Sequence, residues 1–182
     1  MKTVRAILLS GAIACALWSP NLLGQDVHVT SDKGVITLSV MAQKPYVSGQ
    51  AKTPVLSVVC QQKGKKIAHA ITFSPGGVLT EQEYSSFGNS ASLVLAMTIG
   101  GHKQSTTWVS LNFQSFDSVG KQSFDYVGKT ESERIQFLEA LLSAPTVSID
   151  FTAFLTGTPT STTFDLTGLR TEFDKHPECA MK

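Results

Sequence analysis

Serine, histidine and acidic residues that could form a hydrolytic site occur along the chain, but none falls in a recognised catalytic spacing. A nucleophilic serine of the α/β-hydrolase type lies in a Gly-x-Ser-x-Gly turn, and the segment Gly88–Ala91 does not have that pattern. Paired glycosidase carboxylates need a cleft, which a small chain with few aromatic residues does not indicate. We therefore predict a protein that is not an enzyme and has no catalytic residues. An envelope hydrolase with a site of dispersed residues is retained as an alternative.

The histidines and glycines do not form a local metal or nucleotide site. The four histidines are His28, His69, His102 and His176. They show no HxH, HxxxH or HExxH spacing, so no metal ligands are predicted. His69 falls in an alternating apolar segment and is predicted to be packed or hydrogen-bonded. The segment Val127–Thr130 is similar to the end of a phosphate loop, but Ser123 stands where that motif requires glycine. No cofactor is expected.

The cysteines predict a disulfide. Cys60 and Cys179 remain if the N-terminal segment containing Cys15 is removed, and an even count in an oxidising compartment favours a bridge. Two buried thiols, or a metal pair with histidines, are the alternatives. A bridge would close a loop of about 120 residues, which predicts a large entropic stabilisation.

The N-terminus is typical of a secretory signal. Lys2 and Arg5 precede the uncharged, mainly apolar run Ala6–Trp18, which is short for a membrane span, and cleavage is predicted after Gly24. Residues 1–24 would then be the signal peptide and residues 25–182 a single exported domain, periplasmic or secreted. An N-terminal anchor, or a lipoprotein acylated at Cys15, is the alternative.

The charge of the exported domain limits its partners. Loss of the two basic signal residues leaves 13 basic against 14 acidic residues, so no broad positive surface is available to neutralise phosphates. We expect no nucleic-acid partner. No second apolar stretch is long enough for a stable membrane span after signal cleavage.

Most of the exported domain alternates with period two between turn residues, which is typical of β-strands. A capping box at Thr130–Glu133 and apolar residues at helical spacing predict a helix that ends before Pro145. We predict a mainly β domain, a β-sandwich or barrel-like fold with one amphipathic helix and a short C-terminal helix, stapled by the disulfide. An α+β fold is the alternative. The predicted strands are Val27–Thr30, Val35–Met41, Val55–Cys60, Lys66–Phe73, Ser92–Ile99, Thr106–Phe113, Thr146–Leu155 and Thr160–Asp165.

One octapeptide is duplicated: QSFDSVGK at 114–121 is followed by QSFDYVGK at 122–129. Two copies are too few for a solenoid, so a tandem duplication in a surface loop or hairpin is the favoured interpretation. The alternative is a doubled surface motif that presents aromatic residues to a partner. The candidate partner surface consists of Phe116, Phe124, Tyr126 and Trp108. Trp108 is most simply a core or sheet-face residue, with a carbohydrate platform as the lesser possibility.

The order of several segments resembles small periplasmic proteins of the VasI type, which are associated with type VI secretion. The segments are Pro54–Cys60 (P-x-L-x-x-x-C), Trp108, the helix Phe137–Leu142, the strand Thr146–Phe151, and Thr163–Leu169 followed by Cys179. The resemblance implies a non-enzymatic envelope component or accessory factor. It supports pairing of Cys60 with Cys179, and it implies a tight strand-to-helix turn at Gly168 with Asp165 or Thr167 near the helix start.

The sequence thus predicts a non-catalytic exported interaction or accessory protein of the bacterial cell envelope that binds another envelope protein. A small-ligand or glycan-binding domain is the alternative from a second class.

Overall fold

The protein is mainly β, as predicted. The computed structural model describes residues 26–43, 53–64, 66–75, 84–87, 90–110, 123–153 and 158–181. The predicted signal peptide and Phe116 lie outside these ranges. The elements are β1 (His28–Asp32), β2 (Val35–Met41), β3 (Val55–Lys63), β4 (Lys66–Ser74), β5 (Tyr84–Phe87), β6 (Ser90–Ile99), β7 (His102–Ser110), β8 (Phe124–Tyr126), α1 (Glu131–Ser143), β9 (Thr146–Ala153), β10 (Thr158–Asp165), α2 (Leu169–Asp174) and a 3-10 turn (Pro177–Cys179).

All strand pairs in the sheet are antiparallel. The strand order is β1-β2-β3-β4-β8-β7-β6-β9-β10, and β5 pairs with β6 beside this path. The last strand, β10, also contacts the chain just after β2. Ala42 forms a bridge with Phe164 of β10, and Gln43 N donates to Thr163 O at 2.9 Å. The strands therefore curl into a barrel-like layer, one of the two shapes predicted.

The core fills the inside of this curved sheet. Alternate residues of the strands point inward, and the aromatic side chains among them touch across the interior. Phe73 of β4 lies 6.1 Å from Trp108 of β7 and 6.3 Å from Phe164 of β10, both in edge-to-face geometry. Helix α1 adds the buried residues Phe137, Leu138, Leu141 and Leu142 to the same cluster.

The segment Val127–Thr130, which is similar to the end of a phosphate loop, forms the capped start of α1. Thr130 is the N-cap and accepts a hydrogen bond from Glu133 N at 3.1 Å, while Glu133 accepts from Lys129 N at 2.7 Å. This is the predicted capping box, except that the Glu133 side chain accepts from the N–H of the residue before the N-cap and not from that of the N-cap itself. A Cβ at Gly128 would lie 2.6 Å from Arg134 Cγ and 3.0 Å from Arg134 N, so a larger residue here would force the start of the helix to shift.

Three features of the sheet go beyond the sequence-based strand assignment. Strand β6 is buried on its inner face only: Val94 is 58% exposed, because the outer face of the sheet is open there. The segment Tyr84–Phe87, which is absent from the predicted strands, pairs with β6. The second octapeptide copy, predicted in a surface loop or hairpin, supplies β8, which pairs antiparallel with the preceding strand β7 and also with β4.

The predicted disulfide is present. Cys60 and Cys179 are bonded, with Cα atoms 5.1 Å apart, and both residues are fully buried. The bond attaches the 3-10 turn to the middle of β3, and such bonds persist in oxidising compartments outside the cytoplasm. Thr167 N donates to Asp165 at 2.9 Å where β10 turns into α2, and Gly168 has φ of +90°. Among the helices of the described ranges, none is long and apolar enough to cross a membrane.

Candidate functional site

Two of the aromatic residues predicted to contact a partner belong to the core. Trp108 and Phe124 are both fully buried. The indole N–H of Trp108 donates to Thr106 Oγ1 at 2.8 Å, so even its polar atom is used internally. Neither side chain is available to a partner or a sugar, so Phe124 and Trp108 do not belong to a partner surface, and the simpler interpretation of Trp108 as a core residue is confirmed. The residue type alone did not reveal which face of its strand each aromatic occupies.

Tyr126 is the one predicted surface residue of the described chain that reaches the surface. It is half-buried, stacks on Phe137 with ring centroids 3.9 Å apart, and lies 5.7 Å from Trp108. Burial and the nearby carboxylate of Glu133 raise the pKa of its phenol. Tyr126 therefore lies at the boundary between the core and solvent.

The length of β8 leaves a free edge beside Tyr126. Strand β8 has three residues, whereas its neighbours β4 and β7 have nine each. Strand β8 pairs with β4 only at Thr72 and Phe73. Over residues 66–70 of β4, no strand of the described chain pairs on the side away from β3.

The sheet register shows which backbone groups face this edge. Ala42 N donates to Pro54 O at 2.9 Å, so even-numbered residues of β3 bond to β2 and odd-numbered residues bond to β4. Even-numbered residues of β4 then bond back to β3. By this alternation, Ile67 and His69 direct their N–H and C=O groups to the free edge, and Phe73 directs its groups to β8.

A groove of about 610 Å³ runs along this edge, between β4 and the first turns of α1. Its lining combines apolar side chains of both elements with charged groups. The apolar residues include Ile67, Ile71, Tyr126, Ile135 and Met181, and the charged residues are Lys63, Lys66, Asp125, Glu131 and Arg134. The arrangement offers backbone hydrogen-bonding groups, apolar surface and charge in one place.

The charges carried by the strands are unevenly placed along the groove. Lys63 and Lys66 are directly opposite each other at the end of the β3–β4 hairpin, and like charges in this position repel. Neither forms an ion pair with a carboxylate of the described residues. Asp125 also lines the groove, but it belongs to β8, which pairs with the end of β4 that is distant from Lys66. Desolvation raises the pKa of the Asp125 carboxyl above its ordinary value.

His69 has a structural role at the groove, as predicted for a hydrogen-bonded histidine. Its Nε2 lies 2.9 Å from the carbonyl oxygen of Cys179, and its ring is 6.0 Å from Phe173. Across the parts of the chain that the structure describes, no group of three or more His, Cys, Asp or Glu side chains is arranged to hold a metal ion.

No protein family, curated protein or solved structure matches this chain. The resemblance to VasI-type proteins therefore stays a prediction. The groove was not found from the sequence, because it follows from the difference in length between paired strands.

Proposed function

We propose that this protein is a non-catalytic binding module of the cell envelope that holds an extended segment of another protein by strand addition to β4. The observation that supports this most is the pair of free backbone positions, Ile67 and His69, beside an open groove. An added strand would satisfy these groups and bury the apolar lining, which is the usual mode of β-augmentation.

The composition of the edge supports this use. Free edges are normally blunted by charge, proline or a bulge, because they otherwise pair with foreign strands. After Lys66, the free part of β4 reads Ile67-Ala68-His69-Ala70 and contains no charged residue or proline. The outer edge of β1 is different, because that strand ends with the charged residue Asp32.

The cellular setting is part of the proposal. The disulfide fits an oxidising compartment, and the predicted signal peptide would deliver the chain to the periplasm or the exterior. The resemblance to VasI-type proteins suggests an accessory role in secretion, with another envelope protein as the partner.

The test is crosslinking in living cells with a tagged chain, followed by identification of captured proteins. Ile67→Pro removes an N–H that faces the free edge without removing a bond to β3. The matched control is Ser31→Pro: by the same alternation, Ser31 directs its N–H to the outer edge of β1. We expect wild type and Ser31→Pro to capture the same dominant partner and Ile67→Pro to lose it.

Both variants must retain the fold, as shown by circular dichroism and thermal unfolding. Equal capture by folded Ile67→Pro and Ser31→Pro would contradict strand addition at β4. If no protein is enriched over a tagged control, the interaction function itself is contradicted.

A small-ligand site is the second candidate. The groove volume of about 610 Å³ is that of a typical small-molecule pocket, and its lining is partly apolar. Thermal-shift screening of small-molecule and sugar libraries tests this candidate. A stabilising ligand whose effect disappears in an Ile135→Asp variant would favour it over the polypeptide partner.

A further inference from the structure

We infer that the segment bound at β4 runs antiparallel to it and ends in acidic residues that lie against Lys63 and Lys66. This inference rests on the proposed strand addition and specifies the chemistry of the partner. It derives from the direction of β8, the distribution of charge along the groove and the needs of the free backbone groups.

The direction follows from the sheet. Strand β8 runs antiparallel to β4 and stops at Tyr126, near Ile71, while the free edge continues toward Lys66. A segment that continues the same alignment enters near Ile71 and leaves near Lys66. Antiparallel pairing also matches every other strand pair in the described sheet and is slightly more stable per residue than parallel pairing.

The charges carried by the strands determine which end of that segment is acidic. Lys63 and Lys66 repel each other across the hairpin, and an anion between them would relieve this repulsion. The Asp125 carboxylate lies on β8, at the opposite end of the free edge. An antiparallel segment with acidic residues at its C-terminal end places them by the two lysines and away from Asp125. The reversed charge order would place acid beside acid.

The backbone and the apolar lining define the rest of the ligand. Ile67 and His69 present both donors and acceptors, which a peptide backbone satisfies and an acyl chain does not. Side chains of an added strand alternate between the two faces, and those on the inner face would pack beside Ile67, Ile71 and Ile135. The partner chemistry is therefore an extended peptide with apolar residues at alternate positions and an acidic C-terminal end.

The experiment compares two fluorescent peptides of equal composition by anisotropy. The first alternates valine and threonine over six residues and ends in two aspartates with an amidated C-terminus; the second has the reversed order. We expect the first to bind wild type at least tenfold more tightly. Lys63→Glu/Lys66→Glu should remove this preference. The matched control Lys33→Glu/Lys103→Glu changes the net charge equally at residues that do not line the groove, and should keep it.

The outcomes separate the two proposals. Equal affinity for both peptides, or failure of both to bind, overturns the inference about polarity. In either case the strand-addition function stands if Ile67→Pro loses its cellular partner while Ser31→Pro keeps it. Tight binding of the first peptide that Ile67→Pro does not weaken overturns both. Displacement of the first peptide by laurate, with no effect of Ile67→Pro on laurate binding, assigns the groove to an acyl chain and also overturns both.

Discussion

The Nε2 atom of His69 lies 2.9 Å from the carbonyl oxygen of Cys179, although 110 positions separate the two residues in the chain. Cys179 is also bonded to Cys60, which is directly opposite His69 on the neighbouring strand. Cys179 is thus attached to both members of the cross-strand pair, by a covalent bond to Cys60 and a hydrogen bond to His69. The wall of the groove near Met181 depends on this attachment.

Removal of the disulfide should strongly destabilise the protein. Cys60 and Cys179 are 119 positions apart, and the chain-entropy estimate for a loop of this length is about 4–5 kcal/mol. We expect the Cys60→Ala/Cys179→Ala variant to lose most of this amount in urea unfolding, and reduced wild type to match it. A loss below about 1 kcal/mol would contradict the entropic account.

Two threonines in the core should respond oppositely to the same substitution. Among the buried side chains that the structure describes, Thr162 Oγ1 is the one polar atom without a hydrogen-bond partner, whereas Thr106 Oγ1 accepts from Trp108 and donates to Leu95 O. Thr162→Val should raise the free energy of unfolding by about 1 kcal/mol. Thr106→Val should lower it by about 1–3 kcal/mol, because the indole N–H is left unpaired. Equal effects in chemical denaturation would contradict this account.

Deleting either octapeptide copy tests the stacking of Tyr126. Deletion of 114–121 leaves five residues between Ser110 and Phe124, a common hairpin length, and should preserve the fold. Deletion of 122–129 gives the same sequence except for serine at the position of Tyr126. The second variant should be less stable by about 2 kcal/mol, because it loses the contact with Phe137. Identical melting curves for the two deletions would show that the stacking contributes nothing.

Asp125 should make stability depend on pH in the acidic range. Desolvation raises its pKa above 3.8 in the folded protein, so the folded state holds the proton more tightly than the unfolded state. The free energy of unfolding should therefore fall as pH rises through the window between these two pKa values. Asp125→Asn should remove this fall, and its advantage over wild type should grow across that window and then level off. Urea unfolding at several pH values measures this.

Asp26→Asn, ahead of β1 and away from the groove, controls for the loss of one negative charge. If Asp125→Asn and wild type give parallel curves across the acidic range, the desolvation of this carboxyl has no energetic consequence.

Local pattern was sufficient for most of the fold. The alternation of Val35–Met41 gave the bounds of β2, and the capping residues at Thr130 and Glu133 gave the start of α1. Counting cysteines predicted the disulfide. These features succeed because period, capping and cysteine pairing are each decided by a few residues and their compartment.

The site could not be predicted in the same way. Phe124, Asp125 and Tyr126 are too few to show a strand period, so their place between β4 and β7 depends on contacts distant in sequence. The residue type of Trp108 suits both a core and an interface, so it could not by itself exclude this side chain from the candidate partner surface. Which edge stays unpaired depends on strand order, which no local pattern contains.

Strand β2 is bonded along both edges: β3 covers one side, and β1 and then the end of β10 share the other. Its backbone cannot open without releasing strands from the beginning and the end of the domain together. Deuterium should therefore enter the amides of Ile36, Leu38 and Val40 only through global unfolding. The edge amides of Ile67 and His69 should exchange through small local openings, so their rates of exchange should be much faster than those of the interior strand.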